Sequence, residues 1–185
     1  MASSKKKKKK KVSSSIYLLK YGTLFLIVLV ASYIITNYIV RKSVVHNVSM
    51  QKTLYDGDKI IMDELSYYNG DPKRYDVICF KSYKEKELLI KRVIGLPGET
   101  VRISDGVIYI NDKEIRDVSG VETVENAGLA SSGILLDEDE YFVLGDNRPE
   151  SIDSRFADVG NIKRKDIIGK AVLVYWPANR IKIIK

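Results

Sequence analysis

Leu88-Leu89-Ile90-Lys91-Arg92-Val93-Ile94-Gly95-Leu96-Pro97-Gly98-Glu99 is an apolar run with a cationic pair at its centre and a turn at its end. Branched apolar residues dominate 87–94, which reads as a β-strand, and Pro97-Gly98 terminates it. Such a strand sets Lys91 among leucine, isoleucine and valine. Lysine and arginine are mostly exposed, so a solvated Lys91-Arg92 pair is the bland alternative. A chemical reading opens if Lys91 is buried, because desolvation lowers the pKa of an ammonium from about 10.4 towards neutrality. A neutral lysine can take the proton of a serine hydroxyl, which is otherwise too weak a nucleophile for a carbonyl. His46 is the only histidine in the chain, so a serine-lysine pair is the economical alternative to a histidine base. Ser49, nine residues past a long apolar span, is the serine that this reading pairs with Lys91.

Outward from this strand, residues 59–62, 76–80, 100–103, 107–110, 140–144 and 171–175 are also rich in β-branched and aromatic residues. Gly57-Asp58, Asn69-Gly70-Asp71-Pro72, Asp105-Gly106, Asn111-Asp112 and Gly145-Asp146-Asn147 punctuate them. These residues tolerate left-handed backbone or fix φ, which is what turns require. Outside the apolar span, helical spacing suggests only a short helix over 162–168. The expected fold is mainly β, in antiparallel sheets, behind one N-terminal transmembrane helix. Residues 117–139, acidic and rich in Gly and Ser, read as an inserted loop or small cap. Cys79, the single cysteine, can form no disulfide within the chain, and its place in Val77-Ile78-Cys79-Phe80 marks it as a core thiol.

The 185 residues carry a formal charge of +7, but residues 1–42 hold ten Lys or Arg and no Asp or Glu. Beyond them, 21 basic residues face 24 acidic ones, so no nucleic-acid partner is expected. Residues 21–40 contain no formal charge, and twenty residues at helical rise are enough to cross a hydrocarbon core of about 30 Å. Lysines 5–11 and Lys20 precede this span while only Arg41 and Lys42 follow closely, which by the positive-inside bias puts the N-terminus in the cytoplasm. The span is too long for the apolar stretch of a cleavable export signal, and Ile39-Val40-Arg41-Lys42 offers no small-residue cleavage pattern. The expected organisation is a cytoplasmic Lys-rich tail over 1–20, a transmembrane signal anchor over 21–40 and an extracytoplasmic catalytic β domain over 41–185. The lipid bilayer of the plasma membrane is then one partner.

Three segments combine behind the span: Ser49-Met50-Gln51-Lys52-Thr53-Leu54; Lys91 to Glu99; and Gly145-Asp146-Asn147-Arg148 running on to Ser151, Asp153, Ser154 and Arg155. In order and type they resemble the bacterial type I signal peptidases, and the resemblance covers nearly everything from the anchor through Tyr175. It implies a serine endopeptidase with two antiparallel β-sheets that removes signal peptides from exported preproteins, cutting after a small-x-small pattern. Ser49 is then implied to be the nucleophile and Lys91 the general base, with Ser151 hydrogen-bonding and orienting the lysine. Asp153 and Arg155 are implied to pair behind the site, and Gly145, Asp146, Asn147 and Arg148 to be structural. Val45, Leu89 and Ile90 match positions that line shallow apolar pockets, with plain core as the alternative reading. Oxyanion donors are expected from the Ser49 backbone N–H and from the Asn47 amide, two positions before the nucleophile, where many relatives carry a small hydroxyl residue. No metal or organic cofactor is expected, since no His, Cys and carboxylate cluster has zinc-ligand spacing.

The chain departs from the family pattern at Lys52, where proline is common. Proline fixes φ, so the exchange is expected to loosen the turn carrying Ser49 or to add positive charge beside the cleft. A second reading is a noncatalytic or client-dedicated relative serving surface pilin assembly; retention of Ser49, Lys91 and Ser151 argues against the noncatalytic form. A sortase-like transpeptidase would need Cys79 and His46 to meet. Nine residues reach at most about 30 Å, so Ser49 is expected near the outer membrane surface, where the scissile bond of a signal peptide emerges.

Overall fold

In the computed structural model, residues 14–34, 40–68, 70–82, 88–117, 120–121 and 123–185 are described. Helix α1 spans Ser14–Ile34. At 1.5 Å per residue its 21 residues extend about 32 Å, and it is long and apolar enough to cross a membrane. Its apolar side chains from Ile16 to Tyr33 are exposed, as an element that buries itself in lipid rather than in protein requires. Of the span expected over 21–40, the part up to Ile34 lies in α1, residues 35–39 fall outside the described set, and Val40 opens the first strand.

Residues 39–185 form a separate β unit. Its strands are β1 (Val40–Val44), β2 (Lys59–Asp63), β3 (Val77–Lys81), β4 (Leu88–Gly95), β5 (Thr100–Ser104), β6 (Val107–Ile110), β7 (Lys113–Glu114), β8 (Ile134–Leu135), β9 (Glu140–Leu144), β10 (Ile162–Lys163), β11 (Ile167–Trp176) and β12 (Lys182–Ile183). One sheet has the order β1-β2-β11-β3-β4-β9-β10, and the other β7-β6-β5-β8. Every pairing is antiparallel. β11 pairs with β2 along one edge, while its other edge meets β3 through Ile167–Lys170 and then β12 through Leu173 and Val174.

Side-chain alternation explains why the central strands read as unbroken apolar runs. In β3, Val77 and Cys79 join a core with Met50, Leu54 and Ile60, while Ile78 and Phe80 join another with Val93 and Val143. In β9, Phe142 and Leu144 face a third core built with Val101, Ile103 and Ile108 of the smaller sheet. A strand covered on both faces has no polar side to show, so period-2 polarity vanishes. Each fully buried aliphatic or aromatic side chain contributes about 1.5–3 kcal/mol by leaving water.

Two local expectations change. Residues 162–168 do not form an α-helix: Ile162 pairs with Tyr141 in β10, residues 164–166 make one 3-10 turn, and Ile167 pairs with Phe80 in β11. The helical spacing of these isoleucines arises because two strand ends flank a tight turn. The described part of 117–139 is not a free loop. Val124, Ala130 and Leu136 are buried in the third core, and Ile134 and Leu135 pair with β5.

Candidate active site

Ser49 is carried by a loop that leaves β1 and returns into β2. Val45 closes the loop's neck, donating its N–H to the Asp58 carbonyl at 2.8 Å and accepting from Gly57 at 3.0 Å. Buried Met50 and Leu54 pin the tip in the core, and the Met50 carbonyl accepts from the N–H groups of Thr53 at 3.0 Å and Leu54 at 2.7 Å. Lys52 has φ 80, a left-handed backbone that proline, locked near −65°, cannot adopt. The paired bonds to Met50 close the turn that carries Lys52.

Lys91 sits in the middle of β4 opposite Ile78, in the register where the sheet is covered on both faces. It is only 2% exposed, and its Nζ donates to Ser49 Oγ at 2.6 Å. Burial drives its pKa from 10.5 down to about 8; Asp153 and Asp146 pull it upward, Arg155 pushes it down, and desolvation prevails. Ser49 itself is 7% exposed. Cys79, by contrast, lies wholly inside the first core with its thiol pushed up to about 12 by burial, which makes it inert.

The turn after β9 grips the nucleophile's backbone. Asn147 donates its N–H to the Ser49 carbonyl at 3.0 Å and its Nδ2 to the Val48 carbonyl at 3.1 Å. Gly145 must be glycine, because an added Cβ would lie 2.2 Å from Ser151 Oγ and 2.5 Å from the Ser49 carbonyl oxygen. Asp153 and Arg155 pair, with Arg155 Nε 2.8 Å from one carboxylate oxygen and an Nη 2.9 Å from the other. Asp153 also accepts the Gly145 N–H at 3.0 Å, while Arg155 donates to the carbonyls of Arg148 and Ser151. The pair therefore holds both ends of the loop that brings Ser151 beside the site. Arg148 is buried and donates to Asp117 at 2.8 Å.

Two expected contacts differ. Ser151 is buried and packs next to Gly145, yet its hydroxyl makes no hydrogen bond, so the expected bond to Lys91 is not formed. The Lys91 ammonium points to Ser49 instead. Asn47 presents its amide oxygen, not its nitrogen, to the nucleophile: Oδ1 accepts from the Ser49 N–H at 3.3 Å and from Ser49 Oγ at 3.0 Å. Its left-handed backbone, φ 86, and the bond from its N–H to Asp56 Oδ1 at 3.0 Å set this orientation. The Ser49 N–H, one of the expected oxyanion donors, is thus bonded to the oxygen of the side chain expected to supply the other.

Val45, Leu89 and Ile90 line one cleft with Ser49 and Met50, and Val45 and Ile90 also belong to or pack on the first core. Arg92 and Thr53 were not legible as site residues. Arg92, on the face of β4 opposite Lys91, is 1% exposed and grips Asp146 with Nε at 2.8 Å and an Nη at 2.7 Å. The Thr53 hydroxyl donates to the same carboxylate. Asp146 thus ties the lysine's strand, the serine's loop and the Gly145 turn together.

Comparison with known proteins places the chain in a family. A model of the family described as signal peptidase, peptidase S26, matches residues 18–176. A relative named signal peptidase I P, from Bacillus subtilis subsp. natto, is 32% identical over 167 residues, covering 86% of this chain and 90% of the relative. One named signal peptidase I from Leptolyngbya laminosa is 35% identical over 155 residues, covering 80% and 74%. A crystal structure of a signal peptidase I from Enterococcus faecalis is similar at 36% identity and a TM-score of 0.46, covering 55% of this chain and 97% of that one. With a match that runs from the apolar helix to the end of β11 and relatives aligned over most of their length, the chain belongs to the signal peptidase family, peptidase S26.

Proposed function

We propose that this chain removes signal peptides from exported preproteins with Ser49 as nucleophile and Lys91 as general base. Members of the family are membrane serine proteases that perform this cleavage, and their serine-lysine pair matches the residues that meet here. The observation that carries the assignment is the 2.6 Å contact between Lys91 Nζ and Ser49 Oγ at a lysine that burial keeps near a pKa of about 8. Ser49 Oγ bonds to the scissile carbonyl carbon while its proton passes to Lys91 Nζ. The tetrahedral intermediate then expels the nitrogen of the mature chain, which takes that proton. Lys91 then takes a proton from a water whose oxygen adds to the acyl carbon; collapse of this second tetrahedral intermediate breaks the bond to Ser49 Oγ, which takes the proton back from Lys91, and frees the signal peptide as a carboxylic acid. Small side chains before the scissile bond fit the shallow cleft of Val45, Leu89 and Ile90. No observation supports the noncatalytic pilin-assembly reading.

Protonated Lys91 donates to Ser49 Oγ, whose own hydrogen is then directed at Asn47 Oδ1. Loss of a proton from Lys91 reverses the first bond, so Ser49 Oγ–H turns to the lysine and releases Asn47. The freed amide can rotate to donate Nδ2 to the oxyanion. Asn47→Ala should then lower kcat by about 10²–10³-fold with KM nearly constant, and Asn47→Asp, which keeps the acceptor but loses the donor, should fall as far. Full activity in Asn47→Asp would show that acceptance, not donation, is the side chain's role.

The direct test is cleavage of a preprotein by the full chain in vesicles, with the N-terminus of the product sequenced. Cleavage after a small residue is expected, with kcat/KM falling about tenfold per pH unit below 8 and level above it, because only neutral Lys91 accepts the proton. A flat profile from pH 6 to 9 would remove Lys91 as base. The same vesicles test the topology inferred from the lysine run: protease outside right-side-out vesicles should digest the β unit and spare the N-terminal tail.

A further inference from the structure

The loop that carries Ser49 runs from Val45 to Asp58, and its two limbs are held unequally. On the outward limb, Met50 and Leu54 are buried in the core, and Asn147 bonds the Val48 and Ser49 carbonyls. On the return limb, Tyr55, Asp56 and Gly57 are exposed, so core packing does not fix them. Their turn is closed by Asp58, whose N–H donates to the Tyr55 carbonyl at 3.0 Å and whose Oδ2 accepts the Tyr55 N–H at 2.9 Å. Asp58 is only 1% exposed, and its Oδ1 has no hydrogen-bond partner among the described residues. A buried carboxylate in that condition needs a counter-charge.

Arg180 supplies it. Its Nη2 donates to Asp58 Oδ2 at 2.8 Å, and its guanidinium carbon stands 3.8 Å from the Tyr55 ring centroid. One planar cation thus pairs with the last residue of the turn and lies against the ring of the first. Arg180 belongs to a segment beyond the residues that match the family model, a 3-10 turn over Ala178–Arg180 followed by β12. Just after β12, Ile184 is buried in the same core as Val45, Met50 and Leu54, and its N–H donates to the Val172 carbonyl at 3.0 Å. Arg180 is therefore tied to the large sheet through its own segment and to the serine's loop through its side chain. Inside the turn lies Asp56, whose Oδ1 accepts the Asn47 N–H at 3.0 Å, and Asn47 presents its amide to Ser49. Given the Ser49-Lys91 reading on which it rests, we infer that Arg180 is a positioning residue for this reaction, acting through the 55–58 turn and Asp56 to hold Asn47 against the nucleophile.

The test is a double-mutant cycle between Arg180 and Asn47, with the full chain in vesicles cleaving a preprotein well below each variant's melting temperature. Arg180→Met keeps an apolar stem but strands the Asp58 charge; its kcat should fall about tenfold with KM nearly constant, because a small displacement of a catalytic group is costly. In an Asn47→Ala background the same substitution should cost less than about twofold, since the side chain that it positions is gone. Arg180→Lys keeps the charge and loses the planar fork, so its kcat should fall about threefold, and it carries the cycle if Arg180→Met does not fold. Unchanged kcat in the folded Arg180 variants, or equal losses with and without Asn47, would overturn the inference, the second result showing that Arg180 serves the fold at large. Failure of wild type to cut the preprotein would overturn the Ser49-Lys91 reading itself.

Discussion

Replacing Lys91 with methionine is expected to abolish cleavage and yet to stabilise the fold at neutral pH. Activity should fall by about 10³-fold or more, because a nucleophile and its base act as one unit and removal of either removes most of the rate. Stability should move the other way for a reason specific to burial. The folded-state pKa of about 8 lies below the ordinary 10.5, so the unfolded chain binds this proton more tightly. Stability of the wild type therefore rises with pH between about 8 and 10.5, and below 8 the full desolvation penalty, on the order of 3 kcal/mol, is present. Methionine has nearly the same length and no charge to desolvate, so Lys91→Met should melt higher than wild type at pH 7, with the advantage gone near pH 11. Thermal unfolding of the two proteins in the same detergent checks this. A variant that is inactive and also less stable at pH 7 would show that the lysine is a structural cation rather than a base held in an unfavourable place.

The serine-lysine pair was legible because its chemistry sits in contiguous segments. An apolar run around one lysine and a serine just past a membrane span are local patterns, and the long strands β2, β3, β4, β5, β6, β9 and β11 announce themselves by residue type and flanking turns. What was hidden depends on contacts distant in sequence. The two-residue strands β7, β8, β10 and β12 have too few positions to show any period. Arg92 gave no signal of its own, since a charged residue next to Lys91 in a strand ought to face water; the carboxylate that buries it, Asp146, comes from a turn 54 residues away. The orientation of the Asn47 amide follows from a left-handed backbone and from Asp56, neither of which composition reveals. The left-handed φ of Lys52, 80, is likewise a backbone property that residue type does not reveal.

Asp146→Ala should be the most damaging single substitution for stability, at about 3–5 kcal/mol. The carboxylate is fully buried and accepts two bonds from an arginine that is 1% exposed, so its removal leaves a guanidinium in a dry interior with its Nε unpaired. Thr53 loses its acceptor in the same step, and with it one tie between the Ser49 loop and the rest of the site. The penalty comes from breaking the pair, not from the pair's own net worth, since desolvating two charges offsets most of their attraction. Arg92→Met combined with Asp146→Leu should therefore recover much of the stability that Asp146→Ala loses, because neither charge is left stranded. Activity should not recover with it: Thr53 still lacks its partner, and a leucine in the Gly145 turn would disturb Asn147, which holds the Ser49 carbonyl. Denaturant unfolding and preprotein cleavage measured on the same three proteins separate the two effects. If the double variant were as unstable as Asp146→Ala, the carboxylate would be needed for its shape and hydrogen bonds rather than as the counter-charge to Arg92.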